Sequence, residues 1–465
     1  MKLEALNVSI TPGSAPFRLL KVFLNSKLKQ ASLIFDSDFH PDDLNPPRLV
    51  SFFRKFKRSR LQVITNSNGI QMLLNTDHFQ SFYESHQFTA KIQKNGYQNI
   101  SNKAIINSTN SVQKISYQCN DSPQQGIFIL PDLPPLPNFK ELQFTWISDP
   151  KSEKFVDISF IEQFAKLESL YIQLDYREPD TLGFLVDLQN LRELYFSSKQ
   201  FQKRPDSTKN LPNLTKLEKF SLCLDEPKTL FSLENIRDFI SKNKDLGSLD
   251  LALTIQNIGI ILYDEDQTCL LPSIKNLRLN FPYCKESYID AANKIVKTLK
   301  RVGSLQQLSI EFHQSSSQLN TLLFKEGLVS MESLESLTLK YHNLAKLESN
   351  NFGHLKEVFA NLGSLKALDL DFSCNNSLEP EEFSSILDGL SQLKNLERFR
   401  FKAKVTQLTP AAYNQLLNFL ASIKYARSVD FNLKGVSQAN GNRIRKDLLP
   451  KFSLSKSSFS FVGFI

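Results

Sequence analysis

The chain has 465 residues, 41% hydrophobic and 22% charged, which is enough apolar material for a large core and too little charge bias for disorder. No apolar run approaches the roughly 18 to 20 residues that span a bilayer, and the opening Met1-Lys2-Leu3-Glu4 lacks a secretory apolar stretch, so neither a membrane nor a secreted protein is expected. The 56 basic and 48 acidic residues give a net charge of +8, which permits acidic partners without requiring one, and the five scattered cysteines contain no Cys-x-x-Cys pair and read as reduced thiols.

In chain order, short apolar alternations begin at Leu3/Leu6/Val8 and recur at Leu28/Ala31/Leu33/Phe35, Leu61/Val63, Phe88/Ala90/Ile92 and Val112/Ile115/Tyr117. Each reads as a strand. Between them lies the densest positive cluster, Arg54, Lys55, Lys57, Arg58 and Arg60. It has two readings: the solvated end of a helix leading into the strand at Leu61, or a nuclear-import or polyanion contact. A second basic stretch runs from Lys199 to Arg204. Pro131, Pro134, Pro135 and Pro137 then mark a break.

From Phe139 the pattern sharpens to L-x-x-L-x-L-x-aromatic. Leu334/Leu337/Leu339/Tyr341 and Leu365/Leu368/Leu370/Phe372 are the clearest copies. The leading positions 139, 167, 191, 217, 246, 274, 305, 334, 365, 396 and 426 step by 24 to 31 residues, and Phe459/Phe461 lies one period further on. Helical spacing fills the intervals at Tyr288/Ile289/Ala292/Ile295/Val296/Leu299 and at Phe383/Ile386/Leu387/Leu390, while Thr409-Pro410 supplies a cap and a first-turn proline before Tyr413/Leu416/Leu417/Leu420. Each unit is therefore expected to be one strand, a turn and one helix. The expected divisions are 1–138 as degenerate N-terminal repeats or cap, 139–433 as regular repeats and 434–465 as a C-terminal capping unit.

This pattern resembles the leucine-rich repeat proteins, and its 28- to 31-residue unit is similar to their ribonuclease-inhibitor-like subfamily. The resemblance implies an α/β fold: a leucine-rich repeat solenoid (horseshoe) with a parallel concave sheet and convex helices. The family's usual Asn or Cys after the strand does not recur, since the corresponding positions read Asp175, Lys199, Asp225, Pro282, His313, His342 and Ser373.

The frame places side chains between the inward leucines on the opposite, concave face. Tyr171, Tyr195, Asp369, Asp371, Arg398, Arg400 and Lys402 stand there and form the candidate partner-binding stripe, with the tyrosines as anchors. Asp369, Asp371 and Asp430 also flank the basic strand, so mutual neutralisation is the competing reading. The six histidines lack metal-ligand spacing, and no phosphate-binding glycine loop occurs, so neither catalysis nor a cofactor is expected. A non-enzymatic protein-interaction scaffold or assembly subunit is the leading expectation. RNA or ribonucleoprotein binding through the basic patches and a role resembling the GTPase-regulating leucine-rich repeat proteins are the alternatives. The bias toward Phe, Asn, Gln, Lys and Ser looks like that of AT-rich genomes such as those of ciliates, and the expected location is cytoplasmic, with a ciliary setting included, or nuclear.

Overall fold

In the computed structural model of this chain the backbone is described at the strands listed below for 5–129, at 140–147, 156–157, 159–174, 182–198, 212–224, 233–263, 271, 273–282, 289–313, 317–342, 349–374, 377–423, 426–434 and 446, and at 458–462. The chain forms two compact units, Met1–Glu218 with Lys228–Phe231, and Lys219–Pro227 with Ser232–Ile465.

The first unit contains β1 (Ala5–Ile10), β2 (Gln30–Phe35), β3 (Arg60–Thr65), β4 (Phe88–Asn95), β5 (Val112–Asn120), β6 (Phe128–Ile129), β7 (Glu141–Ile147), β8 (Val156–Asp157), β9 (Ser169–Leu174) and β10 (Glu193–Ser198). Successive parallel pairing runs β1–β2–β3–β4–β5–β7–β9–β10. The two-residue strands β6 and β8 pair with each other in a separate small sheet. The second unit contains β11 (Lys219–Leu224), β12 (Ser248–Ala252), β13 (Asn276–Phe281), β14 (Gln307–Phe312), β15 (Ser336–Tyr341), β16 (Ala367–Phe372), β17 (Arg398–Lys404), β18 (Ser428–Lys434) and β19 (Ser458–Val462). Each of these pairs parallel with the next, so the Phe459/Phe461 alternation lies opposite Val429/Phe431. Repeating strand-and-return units of this kind are an α/β leucine-rich repeat solenoid, which each repeat builds by burying its apolar face against its neighbours.

The leucine frame explains the sheet directly. Strand residues alternate faces, and β9, β10, β15 and β16 alternate between half-buried and buried positions along their whole lengths. Leu170, Ile172, Leu337, Leu339, Leu368 and Leu370 are buried on the inner side. The last core slot of β13 to β16 is aromatic, giving a column in which Phe281–Phe312, Phe312–Tyr341 and Tyr341–Phe372 centroids lie 5.4, 4.8 and 5.5 Å apart, while β17 has Ala403 in that slot and its Phe401, one slot earlier, meets Phe372 at 6.0 Å. Ring pairs at such separations add to the burial of large apolar area. The one phenol in the column, Tyr341, donates a hydrogen bond to Asn320 Oδ1 at 3.1 Å, which satisfies a polar group deep in the core.

Two backbone features tie the repeats together. A buried L-x-x-L-like turn precedes β10, β15 and β16, seen in Leu191 N–H to Leu188 O (3.0 Å), Leu334 N–H to Met331 O (3.1 Å) and Leu365 N–H to Leu362 O (3.1 Å). Next to it, one carbonyl accepts two N–H groups from the following repeat: Lys140 O from Glu168 and Ser169, Gln306 O from Glu335 and Ser336, Glu335 O from Lys366 and Ala367, and Lys366 O from Glu397 and Arg398, all at 2.8 to 3.0 Å. These joints lie at the starts of the strands and satisfy backbone groups that burial would penalise.

The returning segments depart from one expectation. Helices Leu233–Lys242, Ile255–Leu262, Ile289–Arg301, Ser349–Asn361, Pro380–Leu390 and Pro410–Ser422 follow the strands of the second unit. Thr409 caps the last of these by accepting from Ala412 N–H at 3.2 Å, with Pro410 at its start as the sequence indicates. In the first unit, however, the returns at Ser159–Gln163 and Leu182–Asp187 are 3-10 turns. The 24-residue step from 167 to 191 leaves little chain for an α-helix at Leu182–Asp187, but the 28-residue step from 139 to 167 equals the one from 246 to 274, which holds the Ile255–Leu262 helix, so step length alone does not decide the form of the return.

Candidate functional site

On the open face of the sheet, register decides which side chains meet. Parallel pairing sets Asp369 opposite Arg400 and Arg400 opposite Asp430, with Asp371 opposite Lys402. Arg400 accordingly lies 3.8 Å from Asp369 and 3.4 Å from Asp430, and Lys402 Nζ lies 3.2 Å from Asp371. The two carboxylates on β16 differ. Burial drives the Asp369 carboxyl above the ordinary carboxylate range, and the Arg400 and Lys340 charges offset it only in part. Its Oδ1 is buried and accepts no hydrogen bond. Burial also acts on Asp371, but the Ser373 hydroxyl and N–H and the Lys402 ammonium outweigh it and hold that carboxyl below its usual range.

A second charged cluster lies on β13 to β15. Glu311 is buried. It accepts from Arg278 Nη2 at 2.9 Å and Lys340 Nζ at 3.0 Å, with His342 Nε2 at 3.9 Å. Burial opposes its ionisation, but Lys340, Arg278 and His342 together hold its carboxyl below the ordinary value. Asp250, 3.9 Å from Arg278, is raised by burial. His313 stacks on His342 with ring centroids 4.8 Å apart, and burial, then the neighbouring His342, lower its pKa. This interlocked set was legible only in part. None of Asp250, Arg278, Glu311 and Lys340 belongs to the candidate stripe, although the sixth position after each leading residue runs Glu311, Lys340, Asp371, Lys402 in alternating sign.

The first unit presents different chemistry. Tyr171 and Tyr195 are register partners on β9 and β10, and their rings stack at 4.0 Å with an interplanar angle of 3°. Tyr171 donates to Gln173 Oε1 at 3.0 Å. Beside them in register stand Gln173 and Ser197 on one side and Ser169 and Glu193 on the other. Tyr171 and Tyr195 thus come together, and so do Asp369, Asp371, Arg400 and Lys402, while Arg398 is exposed at the start of β17. Of the basic cluster, Arg54, Lys55, Lys57 and Arg58 lie outside the described residues, as does Lys199 to Arg204; Arg60 begins β3. Among the described residues no group of three or more His, Cys, Asp or Glu is arranged to hold a metal ion, and no helix is long and apolar enough to cross a membrane.

No protein-family model and no curated protein matches the sequence. Among solved structures, the chain is similar to the leucine-rich repeat ectodomain of the Arabidopsis thaliana receptor kinase GASSHO1/SCHENGEN3, in complex with CASPARIAN STRIP INTEGRITY FACTOR 2, at 13% identity and a TM-score of 0.31. It is also similar to the Drosophila Toll–Spatzle complex at 12% identity and a TM-score of 0.34. These alignments cover 99% and 93% of this chain but 63% and 57% of the other chains, so it spans less than two thirds of either.

Proposed function

We propose that this chain is a non-enzymatic interaction module that holds another protein within a larger assembly, using the open face of its repeat sheet with Tyr171 and Tyr195 as anchor residues. The stacked pair carries this reading. Two rings fixed at 4.0 Å by register and by the strand cores beneath them lose little further freedom when a partner covers them. Tyrosine offers a large apolar face with a polar tip, which is why it is enriched among residues that dominate binding energy. Within the same proposal, the helical returns of the second unit support the ribonuclease-inhibitor-like subfamily for those repeats, and a cytoplasmic, ciliary or nuclear setting is the expected one.

The test is quantitative co-purification from the native source with the intact chain as bait. Tyr171→Ala/Tyr195→Ala is compared with wild type and with Val186→Asp, which alters an exposed residue in a 3-10 return. Loss of a discrete set of proteins by at least about tenfold in the tyrosine variant alone, with an unchanged melting temperature, is expected; tenfold corresponds to about 1.4 kcal/mol. Identical protein sets from all three baits would reject the reading.

A further inference from the structure

Charge is distributed unevenly along the chain. Residues 398–465 carry twelve Lys or Arg against Asp430 and Asp447, a net of +10, whereas the whole chain is +8, so residues 1–397 sum to −2. The entire excess of positive charge therefore belongs to the last repeats.

The fold brings part of that charge onto one surface. The outward positions of β17 are Arg398, Arg400, Lys402 and Lys404, and those of β18 end in Asn432 and Lys434. Arg400 is engaged by Asp369 and Asp430, and Lys402 by Asp371. Arg398, Lys404 and Lys434 are exposed, and among the described residues none of them has a carboxylate within ion-pairing distance. Lys404 and Lys434 are also direct register partners, on strands about 4.8 Å apart. Like charges placed opposite each other on neighbouring strands disfavour pairing. The fold accepts this repulsion at the strand ends, where an anion from outside would relieve it, and Asn432, opposite Lys402, adds amide donors one outward position before Lys434.

We propose that the outward face of β17 and β18 docks an acidic, Asp- and Glu-rich segment of a protein partner, with Lys404 and Lys434 as its principal contacts and Arg398 at the other end of the strand. This rests on the reading of the chain as an interaction module and gives the chemistry of one partner. A carboxylate-bearing peptide fits better than a nucleic acid. Asp369, Asp371 and Asp430 are interleaved with the cations, and they would face a continuous line of phosphates, whereas individual carboxylates can be placed at the lysines alone. The aromatic residues of these strands, Phe399, Phe401 and Phe431, are buried beneath the sheet, so the face offers no ring on which bases could stack.

Fluorescence anisotropy on the intact chain tests this with a labelled glutamate peptide of about twelve residues and an oligothymidylate of equal charge, both near physiological salt. Lys404→Gln/Lys434→Gln is compared with Lys300→Gln/Lys356→Gln, which removes the same charge from two helices. The glutamate peptide should bind, and the strand variant should weaken it by about tenfold against less than twofold for the helix variant, corresponding to about 1.4 kcal/mol. The strand variant should melt no lower than wild type, since it removes a repulsion. Absence of peptide binding, equal weakening by both variants, or tighter binding of the oligothymidylate with the same lysine dependence would each overturn the proposal. Tyr171→Ala/Tyr195→Ala should bind the peptide normally. Tyrosine-dependent co-purification without peptide binding would sink this inference alone, and the reverse would sink the tyrosine reading alone.

Discussion

Asp369 and Asp371 are two positions apart on β16 and face the same way, yet burial wins at one and loses at the other. Asp371, with a lowered folded pKa, contributes stability that is present above the unfolded value and lost as pH falls through the folded one. Asp371→Asn should therefore destabilise by about 1 kcal/mol at pH 7, the scale of a partly exposed charged hydrogen bond. Asp369, with a raised folded pKa and an unpartnered buried oxygen, is harder to ionise in the fold than in the unfolded chain. Asp369→Asn should leave the melting temperature unchanged or higher, and a clear drop would show that Arg400 depends on it. His313 behaves in the opposite sense from a salt-bridged histidine. Its folded pKa is lowered by burial and by His342, so below about pH 6.5 the unfolded chain takes up a proton that the folded chain refuses. Thermal melts between pH 7.5 and 5.5 should show a loss of stability that His313→Asn reduces.

Helix contacts set the next scale. Gly389 lies in the Pro380–Leu390 helix, where alanine would ordinarily be preferred by up to about 1 kcal/mol. Here an added Cβ would stand 2.8 Å from the Lys356 Cα of the neighbouring Ser349–Asn361 helix, a backbone atom that cannot move aside cheaply. Gly389→Ala should lower the melting temperature despite its better propensity, while Gly363→Ala, which meets nothing within 4 Å, should not; chemical denaturation of both variants checks the contrast. Close approaches of this kind leave no mark in a sequence. The strands were legible because leucines alternating with polar residues state both the period and the buried face, as in Leu337/Leu339. The 3-10 returns and the β6–β8 pair were not, because five or six residues of a turn and two of a strand are too short to show a period. On the open face, sign alternation at Glu311, Lys340, Asp371 and Lys402 was readable in principle, but the diagonal reach of Arg278 to Glu311 depends on side-chain length and strand offset.

At the scale of the second unit, the described strands pair each with the next in sequence, so stability there is close to a sum of local and nearest-neighbour contributions. Leu339→Ala should open a cavity under β15 and cost about 2 to 5 kcal/mol. Hydrogen exchange should then quicken most in β14, β15 and β16 and less in β18; uniform acceleration along the second unit would contradict nearest-neighbour coupling. The joint in which one carbonyl receives two N–H groups has a consequence for how such a gene can change length. Repeat steps vary from 24 to 31 residues, yet Glu168, across a step of 24, and Lys275 and Lys366, across steps of 31, each make the same joint. All variation in length has therefore accumulated in the returns. A codon gained or lost between Leu362 and Ala367 would displace the L-x-x-L turn and the paired N–H groups together, whereas insertions farther from the joint only lengthen a surface limb. The chain is thus divided into alternating intervals in which insertions are forbidden and tolerated.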